Sequence, residues 1–105
     1  MDNNDELSKL TASYANELQT YYHEIESLWN KLKENDDDLI FLEFHRKIHN
    51  LSGTAGAFGF EKTSQVANEI QILLGLPNNR NHLTLDLKNK ISPLLQKLIN
   101  SGSSP

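Results

Sequence analysis

The stretch FLEFHRKIHNLSGTAGAF, which runs from Phe41 to Phe58, has the residue pattern of a helix with one apolar face. Its apolar residues recur at alternating steps of three and four, which is the spacing of one face of an α-helix. These residues are Phe41, Phe44, Ile48, Leu51, Ala55 and Phe58. The pattern predicts an amphipathic helix that buries this stripe and stops at Gly59, because glycine is favoured just beyond helix ends.

Two other segments have the same helical period. The first runs from Leu7 to Leu32. Its apolar positions are Leu7, Leu10, Tyr14, Leu18, Tyr21, Ile25, Leu28 and Leu32. The polar run after it supplies Asp37 or Asp38 as the expected N-cap of the second helix. The other segment begins at Glu61 and ends at Gly75, since glycine followed by proline is typical of a helix C-terminus.

A fourth segment carries apolar residues in helical register from Leu83 to Leu98. Pro93 inside it predicts either a kink or a fresh helical segment capped by Ser92. Residues 101–105 are expected to form a disordered tail. Because no segment alternates with period two, the expected fold is all-α, an antiparallel four-helix bundle with up-down-up-down order, formed by residues 1–100 as a single domain.

The composition narrows the classes of function. A formal net charge of −4 argues against nonspecific binding to nucleic acid, which requires clustered Lys and Arg. No apolar run approaches the ~20 residues of a membrane-spanning helix, and the polar, acidic N-terminus lacks the features of a secretory signal. The absence of cysteine excludes thiolate chemistry and cysteine-based zinc sites. We therefore expect a cytoplasmic protein that binds neither nucleic acid nor membranes.

The exposed face of the second helix surrounds one histidine with small residues. His49 lies roughly 130° from the centre of the apolar stripe on a helical wheel, so its side chain is expected to face solvent. The same face carries Leu42, His45, Arg46, Ser52, Gly53 and Gly56. Each glycine inside a helix costs roughly 1 kcal/mol relative to alanine. Two explanations are open: the glycines let another molecule approach His49, or they only allow helices to pack closely.

The order of residues in IHNLSGTAGAFGF, from Ile48 to Phe60, resembles the signature of the histidine phosphotransfer (HPt) domain of phosphorelay two-component signalling. In that family the accepting histidine is followed by a leucine-like residue, a lysine, a glycine, small residues and a second glycine that opens the next segment. The resemblance continues through QVANEIQ, where Ala67 and Glu69 stand as they do in the family. It implies that His49 is the phosphoacceptor and that Gly53 leaves room for a receiver domain.

The resemblance also implies the partners and the chemistry. A neutral imidazole is nucleophilic at cytoplasmic pH, and a phosphorylated ring nitrogen can pass its phosphoryl group on. The implied partners are a response-regulator receiver domain, a hybrid histidine kinase or both, and the chain is expected to be a monomer. The receiver is expected to supply the accepting aspartate and Mg²⁺, so the chain needs no cofactor of its own. Without a nucleotide-binding motif it is expected to be a phosphotransfer intermediate, not a self-sufficient enzyme.

One position departs from the family pattern. Where the family commonly has lysine, three residues after the histidine, this chain has Ser52. Arg46 lies one turn before His49 on the same face, and its guanidinium suits phosphate oxygens. Ser52 and Lys62, near the start of the third helix, are further candidates for supporting the phosphoryl group. The residues expected to contact the receiver are Leu42, His45, Gly53 and Gly56.

Three alternatives to phosphotransfer follow from the same residues. His45 and His49 have a spacing at which two imidazoles can share a metal ion, but Glu43 lies roughly 120° away, so no metal site is expected. A hydrolase pair of Ser52 and His49 would lack an orienting acid. The third alternative is a degenerate HPt-like bundle that binds proteins without carrying phosphate, and Ser52 is the residue that keeps it open.

Overall fold

The computed structural model describes residues 3–35, 37–75 and 84–101, which form four α-helices and no strand. The helices are α1 (Asn3–Glu34), α2 (Asp38–Ala57), α3 (Glu61–Leu74) and α4 (Leu85–Ser101). Within these ranges the predicted all-α class is confirmed. The predicted start of the fourth helix at Leu83 lies outside the described residues.

Helix α2 begins and ends where its capping residues predict. The Asp37 carboxylate accepts hydrogen bonds from the backbone amides of Leu39 and Ile40, at 2.9 and 3.1 Å. It therefore satisfies two of the amides that every helix N-terminus leaves unpaired. At the other end Gly59 has a φ of 86°, and its amide donates to the carbonyl of Gly56 at 3.2 Å. Asp37 as the N-cap and Gly59 as the stop are both confirmed.

The apolar stripe of α2 forms the centre of one core. Phe41, Phe44, Ile48, Leu51 and Ala55 are buried, and Phe58 is half-buried. The side chains packed around them from the other helices include Leu18, Ile25, Leu32, Phe60, Ile70, Ile91 and Leu98. Each helix packs against the next along the chain, and α1 also contacts α4. The core fixes the rotation of α2, and with it the direction of the opposite face.

Two positions in the predicted stripe of α1 differ from expectation. Leu10 has 56% of its side chain exposed. Tyr22, which lies outside the predicted stripe, is buried, whereas Tyr21 is only half-buried beneath the ammonium group of Lys47. Helix α1 has 32 residues and α2 has 20, so α1 is about 48 Å long against about 30 Å. Because Tyr14 already contacts Thr54 near the end of α2, the turn of α1 that carries Leu10 has little of α2 left to pack against.

The remaining predictions concern the ends of α3 and α4 and the proline inside α4. Gly75 caps α3, as predicted, with its amide 3.0 Å from the carbonyl oxygen of Gln71. Helix α4 continues through Pro93 as a single helix, so Ser92 does not cap a separate segment. Ser101 belongs to α4, although it was expected to start the tail, and residues 102–105 lie outside the described ranges. No described helix has both the length and the apolar character that crossing a membrane requires.

Candidate functional site

His49 lies near the middle of α2, with its side chain exposed. Its neighbours Ile48 and Leu51 are 0% and 1% exposed, and they hold the apolar side of the helix against the core. The imidazole consequently points away from the core, so the predicted exposure is confirmed. An exposed ring on a helix that packs against the core can be reached by a second protein.

One ring nitrogen of His49 is held by the neighbouring helix. The amide nitrogen Nε2 of Gln71 on α3 lies 2.9 Å from Nδ1 of His49 and, in this orientation of the amide, donates a hydrogen bond to it. The Nε2 atom of His49 forms no hydrogen bond with any described residue. Gln71 therefore orients the ring, and the orientation of its amide decides which ring nitrogen carries the proton.

Gln71 is a site residue that the sequence analysis missed. It ends the QVANEIQ segment, in which only Ala67 and Glu69 were related to the family pattern. The available signal was a polar residue directly after the buried Ile70, at the margin of the apolar stripe of α3. Which residue of a neighbouring helix such a side chain contacts depends on how α2 and α3 pack, so this signal alone does not identify His49 as the partner.

Ser52 faces α3 and its own helix. Its Oγ lies 2.9 Å from the carbonyl oxygen of His49 and 3.3 Å from Oε1 of Gln71. The Ser64 hydroxyl on α3 donates to the carbonyl of Ser52 at 2.5 Å. The half-buried Ser52 is therefore part of the hydrogen-bonded contact between α2 and α3 that lies directly beneath His49.

The two candidate cations lie in different places. Arg46 is exposed on α2, one turn before His49, and it forms no hydrogen bond or ion pair with the described residues. Lys62 is on the first turn of α3, whereas Gln71, which contacts His49, is on the last. The structure thus brings Arg46 to the face of His49 and leaves Lys62 at the far end of α3.

The cation next to Arg46 in the sequence is already engaged. Lys47 is half-buried, and its Nζ lies 2.6 Å from Oε2 of Glu24 on α1. The same atom lies 5.0 Å from the ring centroid of Tyr21, within the range of a cation–π interaction. Lys47 therefore joins α1 to α2, and Arg46 is the cation that the face of His49 presents to solvent.

The four predicted contact residues have different surroundings. Leu42 is 48% exposed, and His45 is half-buried with its ring edge against Phe41. A Cβ added to Gly53 would meet nothing within 4 Å, which leaves open space beside His49. A Cβ added to Gly56 would lie 3.2 Å from Oγ of Ser64. Close packing against α3 is therefore a sufficient reason for Gly56, whereas no contact explains Gly53.

An open groove of about 640 Å³ lies on the α1 side of His49. Its lining includes His49, Gly53 and Thr54 from α2 and Tyr14 and Tyr21 from α1. The Tyr14 hydroxyl lies 2.8 Å from Oγ1 of Thr54, which in turn donates to the carbonyl of Asn50. The groove is thus bounded by side chains that tie α1 to α2, and it opens next to the imidazole.

The charge on the face of His49 comes from the exposed Arg46. Burial, and then the nearby His49, lower the pKa of His45 below its ordinary value, which favours its neutral form. The guanidinium of Arg46 is the nearby positive charge. In the part of the chain that the structure describes, no three His, Cys, Asp or Glu side chains group closely enough to hold a metal ion.

Compared with models of protein families, with curated proteins and with solved structures, the chain shows no match.

Proposed function

We propose that this chain is a histidine-containing phosphotransfer protein that accepts a phosphoryl group on His49 and exchanges it with receiver-domain aspartates in a phosphorelay. The observation that carries the proposal is an exposed imidazole, held at Nδ1 by Gln71, with open space beside it at Gly53. A nucleophile that reacts inside another protein's active site needs this combination of orientation and access.

The transfer is an in-line displacement at phosphorus. In the tautomer that carries its proton on Nδ1, the lone pair of Nε2 on His49 attacks the aspartyl phosphate of a receiver, a phosphorus–nitrogen bond forms, and the aspartate carboxylate leaves with the electrons of the broken phosphorus–oxygen bond. In the reverse direction a receiver aspartate attacks the phosphohistidine and the imidazole leaves. Arg46 offers its guanidinium to the phosphoryl oxygens. The receiver is expected to contribute Mg²⁺, and the chain uses no ATP.

The proposal includes the arrangement of the helices and the setting of the protein. Two side-chain pairs support an up-down-up-down antiparallel bundle: Tyr14 with Thr54, and Glu24 with Lys47. Residue numbers rise along α1 as they fall along α2, and the contacts of α3 with α2 follow the same opposed order. We further infer a cytoplasmic monomer whose partners are a receiver domain, a hybrid histidine kinase or both.

The second candidate is a degenerate HPt-like bundle that binds such partners without carrying phosphate. Ser52 favours it, because the lysine that is common at this position in the family is missing. The Ser52 hydroxyl is directed toward Gln71 and the carbonyl of His49, so it does not replace the lysine as an outward-facing donor. Under this reading the face of His49 is a binding surface only.

The test is phosphoryl transfer from a small phosphoryl donor or a phosphorylated receiver, read by intact mass at neutral or alkaline pH. The wild type is expected to gain one acid-labile phosphoryl group, and His49→Gln to gain none. The matched control is His23→Gln, which replaces an exposed histidine on α1 and should react like the wild type. A wild-type chain that stays unmodified with several competent donors contradicts the relay and favours the second candidate.

A further comparison separates catalytic support from docking. Arg46→Ala is expected to slow transfer several-fold, because hydrogen bonds from a guanidinium to an anion are among the stronger ones. Lys62→Ala removes a cation that lies far from His49, so its transfer rate should match the wild type. Equal rates for all three proteins would remove Arg46 from the site.

A further inference from the structure

The hydrogen bonds beneath His49 contain a conflict over one hydrogen atom. The Oγ of Ser52 lies 2.9 Å from the carbonyl oxygen of His49 and 3.3 Å from Oε1 of Gln71. Both of these atoms are acceptors, whereas a hydroxyl has one hydrogen to donate. With the Gln71 amide in this orientation, Ser52 satisfies only one of the two, and the shorter contact is to the carbonyl.

A half-turn of the Gln71 amide removes the conflict. The oxygen and nitrogen ends of a carboxamide are nearly equal in size, so the turn exchanges their positions without changing the packing. The amide nitrogen then donates to Oγ of Ser52, and the Ser52 hydroxyl donates to the carbonyl of His49. The amide oxygen now lies beside Nδ1 of His49 and can only accept, so Nδ1 must carry the proton.

We propose that Ser52 is a positioning residue that acts through Gln71 to hold His49 in the Nδ1–H tautomer. In this tautomer Nε2 carries a lone pair and faces outward, which makes it the nucleophile. In the opposite tautomer Nε2 carries the proton and cannot attack phosphorus. The consequence for transfer rests on the proposed function, but the tautomer itself is a property of the unphosphorylated protein.

Ser52 thus has a role different from the cation that it replaces. A lysine three residues after the histidine would supply positive charge to the phosphoryl group. Ser52 is half-buried and bonded to its own helix, so it acts on the orientation of Gln71 and on the proton of His49. Charge for the phosphoryl group is left to Arg46.

The tautomer is measured by long-range ¹H–¹⁵N correlation NMR on protein with ¹⁵N-labelled histidine rings, at a pH above 8, with no phosphoryl donor present. His49 resonances are assigned by their loss in His49→Gln. The wild type is expected to show a protonated Nδ1 and an unprotonated Nε2. Ser52→Ala is expected to shift the tautomer ratio of His49 about fivefold toward the opposite form, which is the effect of one hydrogen bond.

Three further variants separate positioning from general structure. Ser52→Thr keeps the hydroxyl and should restore the wild-type ratio. In a Gln71→Leu background, Ser52→Ala should have no further effect, because Ser52 acts through Gln71. Thr54→Val is the matched control, since it removes another α2 hydroxyl that donates to its own helix but does not contact His49. Its His49 resonances should stay unchanged.

A wild-type His49 with its proton on Nε2 overturns the inference, as does a Ser52→Ala protein that keeps the wild-type ratio. If Ser52→Ala does not fold, the wild-type spectrum and the Gln71→Leu spectrum still decide the matter. Failure of the proposed function has a different signature, namely the expected tautomer in a protein that accepts no phosphoryl group. The tautomer inference stands in that case.

Discussion

At the level of single residues, the two glycines on the face of His49 have different surroundings, so glycine stands at each position for a different reason. Gly53 has open space where a side chain would be, whereas Gly56 faces Ser64 of α3 at close range. Ser64 is also the donor to the carbonyl of Ser52, so it cannot move without losing that hydrogen bond. The face of one helix therefore combines a position kept small for packing with one that its own fold leaves free.

This difference predicts opposite outcomes for two similar substitutions. Gly53→Ala should raise the free energy of unfolding by roughly 0.5–1 kcal/mol, because alanine is the better helix former and nothing obstructs its methyl group. Gly56→Ala should gain less or lose stability, since its methyl group would meet Oγ of Ser64 at 3.2 Å. Urea unfolding of both variants measures the difference. Equal gains would show that Ser64 gives way freely.

Under the proposed function, Gly53→Ala also has a kinetic readout. A methyl group beside His49 occupies space that the partner would use, so transfer from a phosphorylated receiver should slow although the fold becomes more stable. Transfer from a small phosphoryl donor serves as the control, because a small molecule does not need that space. A receiver-specific effect would identify Gly53 as part of the docking surface.

At the element scale, a buried chain of hydroxyl groups joins three helices. Thr63 of α3 is 0% exposed, and its Oγ1 lies 3.2 Å from the hydroxyl of Tyr22 on α1 and 2.7 Å from Oγ of Ser101 on α4. Ser101 donates onward to the carbonyl of Leu98. Burial raises the pKa of Tyr22, so its phenol stays protonated and can begin the chain as a donor.

Thr63→Val tests this chain of hydroxyl groups. The substitution keeps the shape of the side chain but removes the Thr63 hydroxyl that lies 3.2 Å from the buried Tyr22 hydroxyl, at an expected cost of about 1–3 kcal/mol in unfolding free energy. Adding Tyr22→Phe should recover part of that loss, because the hydroxyl that lost this partner is then gone. Thr20→Val, at an exposed hydroxyl on α1, should cost less. Chemical denaturation of the wild type, the two single variants Thr63→Val and Tyr22→Phe, their double variant and the control measures these changes, and additive costs would contradict the coupling.

Features encoded within a single helix could be predicted from the sequence, whereas contacts between helices could not. The stripe of α2, its Asp37 cap and its end at Gly59 are encoded in single helices, and the structure confirms them. The exposure of Leu10 was not foreseen, because it depends on the length of α1 relative to its neighbours. Gln71 was missed for a related reason, since its contact with His49 depends on the register between two helices. Patterns within one helix carry no information about that register.

At the scale of the whole molecule, the stability of the protein should depend on pH through His45. In the folded chain the pKa of His45 is lowered mainly by burial and secondly by the nearby His49. In the unfolded chain His45 has an ordinary histidine pKa near 6.5, so as the pH falls it gains a proton more readily than His45 does in the folded chain. Unfolding free energy is therefore retained above that pKa and decreases as the pH falls through and below it.

The measurement is urea unfolding of the wild type and His45→Gln at pH 7.5 and pH 5.5. The wild type should lose stability between the two values, and the variant should lose less because it cannot gain a proton at this position. His23→Gln, at an exposed site on α1, is the control and should follow the wild type. Identical pH dependence in all three proteins would exclude His45 as the source.

The groups that hold His49 all lie on α2 and α3, which are joined by a short turn. The longest of these links, between His49 and Gln71, spans 22 positions along the chain. The links from α1 to α2 span 23 and 40 positions, and the link from α3 to α4 spans 38. Contacts between nearby positions form sooner, because less chain entropy is lost in closing the loop. The consequence is kinetic: a refolding chain should assemble the hairpin that orients the histidine before the Tyr14–Thr54 and Thr63–Ser101 hydrogen bonds form.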